Sequence, residues 1–231
     1  MILNQMHMTV AELSAITKHY ERQGNGVAAL NCVSFSAVPG ELVLLLGPSG
    51  SGKTTFLTVL AGFQKPSSGK VFLFGKNILD YSPSELQSLR ARHMGFIFQT
   101  FNLIEGITVR ENIMLVTHFA HLGEKHAGRR TDDLLQKFGI GHLSTSYPNS
   151  LSQGEKQRVA VVRALVNGAE LIIADEPTGS LSTSQGNQII TFLRECVDQE
   201  KRTVIMVSHD EHIKGYTDRT LYLRDGSLEP A

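Results

Sequence analysis

The apolar positions of the chain fall into short unbroken runs, separated by longer stretches with helical spacing. Glu41-Leu42-Val43-Leu44-Leu45-Leu46 runs straight into a glycine and predicts a buried strand. A Gly/Ser-rich turn follows, and Thr54–Ala61 predicts a helix. Val71–Phe74, Gly95–Phe98, Leu171–Ala174 and Thr203–Val207 predict further buried strands. Arg219–Leu223, closed by Asp225-Gly226, predicts an exposed strand entering a hairpin turn. Between Gln99 and Leu151 the texture changes, with helical periodicity over Val109–Leu122 and Thr131–Phe138. Core strands lie on both sides of that stretch. The pattern therefore predicts one α/β domain over residues 1–231, with its core at about 1–98 and 168–231 and an inserted helical subdomain at about 99–167.

Composition narrows the classes. A chain of 231 residues, 41% hydrophobic and 19% charged, can bury a sizeable core. Lys+Arg and Asp+Glu both number 22, which argues against a nucleic-acid binder working through bulk positive charge, and no nucleic-acid partner is expected. The longest apolar runs are about five residues, against roughly 20 for a bilayer span. Met1-Ile2-Leu3-Asn4-Gln5 lacks the basic start and apolar core of a secretion signal. Cys32 and Cys196 are too few for a disulfide scaffold and suit a reducing compartment. The expectation is a cytoplasmic protein, unless a partner holds it at a membrane.

Two motifs carry chemistry on their own residues. Gly47-Pro48-Ser49-Gly50-Ser51-Gly52-Lys53-Thr54 matches G-x-x-x-x-G-K-[ST] between a strand and a helix. Glycines there let backbone N–H groups turn inward around phosphate oxygens, and the helix N-terminus adds partial positive charge. Lys53 can reach β- and γ-phosphates and the Thr54 hydroxyl can sit on Mg²⁺; Thr55 completes this candidate nucleotide-binding set. The strand Leu171–Ala174 delivers Asp175 and Glu176 at its C-terminal end, where ligands of open α/β sheets bind. One carboxylate can hold a metal shell while the other faces an attacking water. Two acids after an apolar strand also suit a solvated turn; the phosphate cradle weighs against that reading.

A third motif brings a resemblance. Leu151-Ser152-Gln153-Gly154-Glu155, followed by Lys156-Gln157-Arg158-Val159-Ala160, looks like the L-S-G-G-Q signature of ATP-binding-cassette (ABC) ATPases, with Gln153 and Glu155 as variants. Ser152 stands 23 residues before Asp175, the order and spacing of that family. The resemblance implies that Ser152, Gln153, Gly154 and Glu155 cover the γ-phosphate bound by a partner subunit, with two ATP molecules sandwiched in a head-to-tail homodimer. It implies that Gln99 contacts Mg²⁺ and the attacking water, that His209 senses the γ-phosphate, and that Tyr20 stacks on adenine. Glu176 is then the catalytic carboxylate, and Thr54, Gln99 and Asp175 hold Mg²⁺. The fold implied is an ABC nucleotide-binding domain: a P-loop NTPase core with a mixed sheet and an inserted helical subdomain. One departure stands out, since Ser182 occupies the place of the family's D-loop aspartate.

Gly95–Leu103 and Ala174–Gly179 are similar to the subgroup of lipoprotein-releasing, macrolide- and glycolipid-exporting and cell-division ATPases. That similarity implies an integral-membrane permease partner with large periplasmic domains and a place on the inner face of the plasma membrane. A transport ATPase is the leading expectation, and a regulatory ATPase of the cell-division type is the alternative. A chromosome-maintenance ATPase would need a long coiled coil between cradle and signature, where only 99 residues separate Lys53 from Ser152 without sustained heptads. A translation-factor ATPase would carry two cassettes. The face around Gln99–Thr108 is expected to form a groove for the permease: Phe101, Leu103 and Ile104 either offer an apolar surface there or pack the core of the helical subdomain.

Overall fold

A computed structural model describes residues 9–20 and 27–230. The residues read for a secretion signal, 1–5, lie outside them. In chain order the elements are β1 (Ala11–Tyr20), β2 (Val27–Ala37), β3 (Leu42–Leu46), α1 (Lys53–Leu60), β4 (Ser68–Leu73), β5 (Lys76–Asn77), α2 (Pro83–His93) and β6 (Met94–Ile97). Then follow α3 (Val109–Phe119), α4 (Glu124–Lys137), α5 (Gln153–Leu165), β7 (Leu171–Asp175), α6 (Thr183–Glu200), β8 (Thr203–Ser208), β9 (Arg219–Arg224) and β10 (Ser227–Pro230).

The strands form two sheets. Four pair antiparallel in the order β2-β1-β4-β5, and six pair in the order β10-β9-β3-β8-β7-β6. Within the second sheet β3, β6, β7, β8 and β9 run parallel, and β10 closes the edge antiparallel to β9. β3 shows why its sequence is an unbroken apolar run. Leu42, Leu44 and Leu46 face a core built with α3, α4, α5 and α6. Val43 and Leu45 face a second core shared with α1 and the antiparallel sheet. A strand buried on both faces has no polar alternation to show.

Several expectations shift. β9 is no exposed strand: it lies between β3 and β10 and its residues are mostly half-buried. β6 ends at Ile97, so Gln99 sits in the turn beyond the strand. α4 starts seven residues before the predicted Thr131, because its first turns bury only the small Ala127 and Gly128 and show little apolar spacing. The sequence reading did not reach β1, β2, α2 or α6. In β1 a register shift between Leu13 and Ile16, with Ala15 at φ 49°, breaks the alternation that would mark a strand. Helix α2 buries no residue and is specified by its start, Pro83 after a Ser82/Glu85 capping box.

The parallel arrangement positions the site. Because β3, β6, β7 and β8 point the same way, the residues after their C-terminal ends emerge on one edge of the sheet. Those residues are Gly47, the Gln99 turn, Glu176 and His209.

Candidate functional site

The glycine-rich turn between β3 and α1 is held from within. Gly52 is the N-cap of α1 with φ 105°, a conformation that L side chains avoid. A Cβ there would stand 2.2 Å from the Ala29 carbonyl oxygen. The Lys53 Nζ donates to the carbonyl oxygens of Gly47 at 2.7 Å and Pro48 at 2.9 Å. Its ammonium is therefore folded along the turn. The Ser51 hydroxyl in the same turn is buried without a partner among the described residues.

Opposite the turn, β7 ends at Asp175. Thr54 Oγ1 donates to Asp175 Oδ2 at 3.2 Å, tying helix to strand. Burial raises the Asp175 pKa above the usual aspartate value, the Thr54 hydrogen bond opposes the rise, the Glu176 charge adds to it and Lys53 lowers it. Glu176 follows with φ 50°, a left-handed conformation that costs a non-glycine residue roughly 1–2 kcal/mol. Its N–H donates to the Val207 carbonyl at 3.0 Å, fixing it against β8. Its carboxylate is 11% exposed, lies 2.9 Å from His209 Nδ1, and accepts from the Ser208 hydroxyl at 3.4 Å. Such strain at a buried acid is typical of working sites.

These groups enclose a cleft of about 310 Å³. Its walls are Ser49, Gly50, Gly52, Lys53, Thr54 and Thr55 on one side and Gln99, Asp175 and Glu176 on the other. His209 lies next to it, lining an adjoining hollow with Thr178, Gly179 and Leu181. Tyr20 stands outside the cleft, 39% exposed, with its hydroxyl donating to Gln64 at 2.6 Å and 3.4 Å from Thr55 Oγ1. None of residues 152–155 lines the cleft. Ser152 instead caps α5: it accepts from the Glu155 N–H, and Glu155 Oε2 accepts from the Ser152 hydroxyl at 2.7 Å. Those Ser152 hydrogen bonds hold the Glu155 carboxyl below the usual range, so a negative charge sits at this helix start.

The residues present fit a nucleotide and a divalent cation. A buried ammonium flanked by a turn of backbone N–H groups suits phosphate oxygens. Thr54, Gln99 and Asp175 place hard oxygen donors in the same cleft, and a carboxylate destabilised by burial gains from a cation.

The family model described as ABC transporter matches residues 30–179. The chain belongs to the ABC transporter family. As an ABC cassette it is 39% identical over 221 residues to the putative hemin import ATP-binding protein HrtA of Staphylococcus haemolyticus, covering 94% of this chain and 98% of that one. It is 35% identical to the macrolide export ATP-binding/permease protein MacB of Aggregatibacter actinomycetemcomitans, covering 96% of this chain but 34% of MacB. The cassette thus spans about a third of the length of the MacB relatives it matches. Among solved structures, the dimer of a bacterial ABC transporter cassette superposes with TM-score 0.89 at 34% identity, covering 95% of this chain and 96% of that one. A dimeric post-hydrolysis cassette bound to ADP and Pi superposes with the same TM-score at 33% identity, covering 95% and 98%. The mixed-sheet P-loop fold is therefore that of ABC cassettes.

Two residues of the site were given no role from the sequence. Ala29, outside any motif, lines the cleft from β2, and Ser208, just before His209, supports Glu176 from the buried end of β8. The expected apolar surface is also rearranged. Leu103 packs against the core, and of the three residues named only Ile104, 48% exposed, joins a groove of about 390 Å³. The other apolar walls of that groove are Phe63, Phe96, Phe98, Leu115 and Phe119.

Proposed function

We propose that the chain is the ATP-binding and ATP-hydrolysing subunit of a membrane transport complex, closing as a homodimer around two ATP molecules to drive a mechanical stroke in a permease. The observation that carries this reading is the meeting of Lys53, Thr54, Gln99, Asp175 and Glu176 in one cleft. The turn Gly47–Gly52, with Lys53, Thr54 and Thr55, binds the phosphates, and Tyr20 stacks on the adenine. Glu176 accepts a proton from water as its oxygen attacks the γ-phosphorus and the bond to ADP breaks; ADP and phosphate leave. His209 holds the Glu176 carboxylate in line through Nδ1. Thr54, Gln99 and Asp175 would hold Mg²⁺, which when bound would supply positive charge to the phosphates. Ser152, Gln153, Gly154 and Glu155 meet the nucleotide of the other protomer, in keeping with their distance from their own cleft.

Residues 99–167 act as the helical arm of the cassette. The apolar groove beside Gln99 receives a cytoplasmic helix of the permease, a partner with large periplasmic domains. Among the described residues no helix is long and apolar enough to cross a membrane. In this reading the partner supplies the attachment to the inner face of the membrane. The cargo class is a lipid, lipoprotein or small molecule moved outward. Two measurements test the reading: phosphate release by the purified chain, and cysteine crosslinking from position 104 to co-purified membrane proteins. Turnover without any crosslinked permease would favour a regulatory ATPase; no turnover at all would overturn the proposal.

A further inference from the structure

Residues 98–108 connect β6 to α3 without joining any helix or sheet, so most of their backbone groups need partners from elsewhere. The bonds the segment makes to itself are turn contacts, Phe101 N–H to Phe98 O at 3.3 Å, Ile107 N–H to Ile104 O at 3.4 Å and a short one from Asn102 to Thr100. Two consecutive residues, Phe101 and Asn102, sit at φ 52° and 50°. That region strains Phe101, though asparagine adopts it readily, and a contact from outside the segment holds the pair there.

Asn112 of α3 holds the far part of the segment, at Ile104, Ile107 and Thr108, and a single other side chain braces Phe101 and Asn102. Arg163 of α5 donates through Nη2 to the Phe101 carbonyl and through Nη1 to the Asn102 carbonyl, both at 2.5 Å. A planar guanidinium suits two neighbouring acceptors as no other side chain does. Arg163 takes part in no ion pair among the described residues, so its charge is committed to these two carbonyls. Its own backbone is fixed as well. A Cβ on Gly95 would stand 2.0 Å from the Ala164 carbonyl oxygen, so α5 and β6 touch backbone to backbone. Gln99 is bracketed between that contact and the Arg163 clamp. At the far end of the same helix, roughly 16 Å away by helical rise, stands Ser152.

We propose that Arg163 is a positioning residue for Gln99, clamping the Gln99 loop to the helix headed by Ser152 so that the two move as one unit. The inference rests on the role given to Gln99 above. Asn102 and Arg163 also line the apolar groove, so a partner helix seated there presses directly on the clamp. Arg163 touches no nucleotide group; it acts through Gln99.

The test uses the purified full chain and four variants: Gln99→Ala, Arg163→Met, Arg163→Lys and the double variant Gln99→Ala/Arg163→Met. Turnover, the Mg²⁺ concentration for half-maximal rate, labelled-ATP affinity and melting temperature are measured for each. Arg163→Met should lose about tenfold in turnover and raise the half-maximal Mg²⁺ as Gln99→Ala does, with ATP affinity within about twofold of the parent. Arg163→Lys, which keeps the charge but lacks the planar pair of donors, should recover only part of the loss. The double variant should be no slower than Gln99→Ala, because the clamp has nothing left to position. Effects that multiply in the double variant would overturn the proposal, as would normal turnover and Mg²⁺ dependence in Arg163→Met beside a slow Gln99→Ala. If Arg163→Met fails to fold, Arg163→Gln and its double variant with Gln99→Ala decide by the same criteria. Gln99→Ala that behaves as wild type would overturn the reading of Gln99 itself, and the clamp with it.

Discussion

Two loops meet at the same edge of the sheet and are built in opposite ways. The turn 47–52 is short, carries its own glycines, and is held by the lysine that immediately follows it. The segment 98–108 carries one glycine, Gly106, and is held by side chains from elsewhere: Arg163 on α5, and Asn112 on α3. Asn112 is 2% exposed, accepts from the Ile104 N–H at 2.8 Å, and donates to the carbonyls of Ile104, Ile107 and Thr108. A loop built from its own residues is rigid wherever it is placed. One strung between two helices moves when either helix moves, and this segment lies between the cleft and the apolar groove.

The contrast can be broken most directly at the floor between the loops. Glu176→Gln should lower phosphate release by about a thousandfold while labelled ATP still binds. Near-normal turnover would take the chemistry out of this cleft. Gly52→Ala forces a Cβ onto the Ala29 carbonyl at a left-handed φ. ATP affinity should fall by on the order of a hundredfold, and a variant that binds normally would show that the cradle is not set by its own backbone.

The other loop should respond differently. Asn112→Ala strips the segment of four hydrogen bonds and should cost about 2 kcal/mol, or roughly 4–8 °C in melting temperature for a chain of this size, with ATP affinity retained. If calorimetry found no change in melting, the segment would have to be held by some other means. His209→Ala removes a group bonded to Glu176 but exposed to solvent. Turnover should drop about tenfold with unchanged ATP binding, and equal loss of both would contradict a role confined to Glu176.

The smallest effect concerns Ser182, which the structure shows capping α6, accepting from the Gln185 N–H. Aspartate caps a helix as well as serine does, so Ser182→Asp should leave melting almost unchanged. Placed in the Glu176→Gln background with ATP, it should tighten the dimer by about 1 kcal/mol, read by sedimentation. A weaker dimer would mean that the serine is the better residue at that interface.

The cradle Gly47–Thr54, the buried strand before it and the acids after Leu171–Ala174 could all be read from the chain, because each is a local device. Glycines permit the turn, a run of leucines and valine makes a strand buried on both faces, and a strand end presents its carboxylates. What the sequence could not hold was the company these devices keep. Arg163 is 61 residues from Asn102 and Asp175 is 121 from Thr54, and no local pattern marks either pair. The left-handed conformation of Glu176 and the close contact of Gly95 with Ala164 likewise exist only because strands and helices press together in space. The apolar groove takes Asn102 and Ile104 from the expected segment, but most of its walls come from α1's exit, α2, β6, α3 and α5. Hydrogen-bonding and steric rules that act over a few residues decide which elements form. The packing of the sheet between its two cores decides which of their side chains meet.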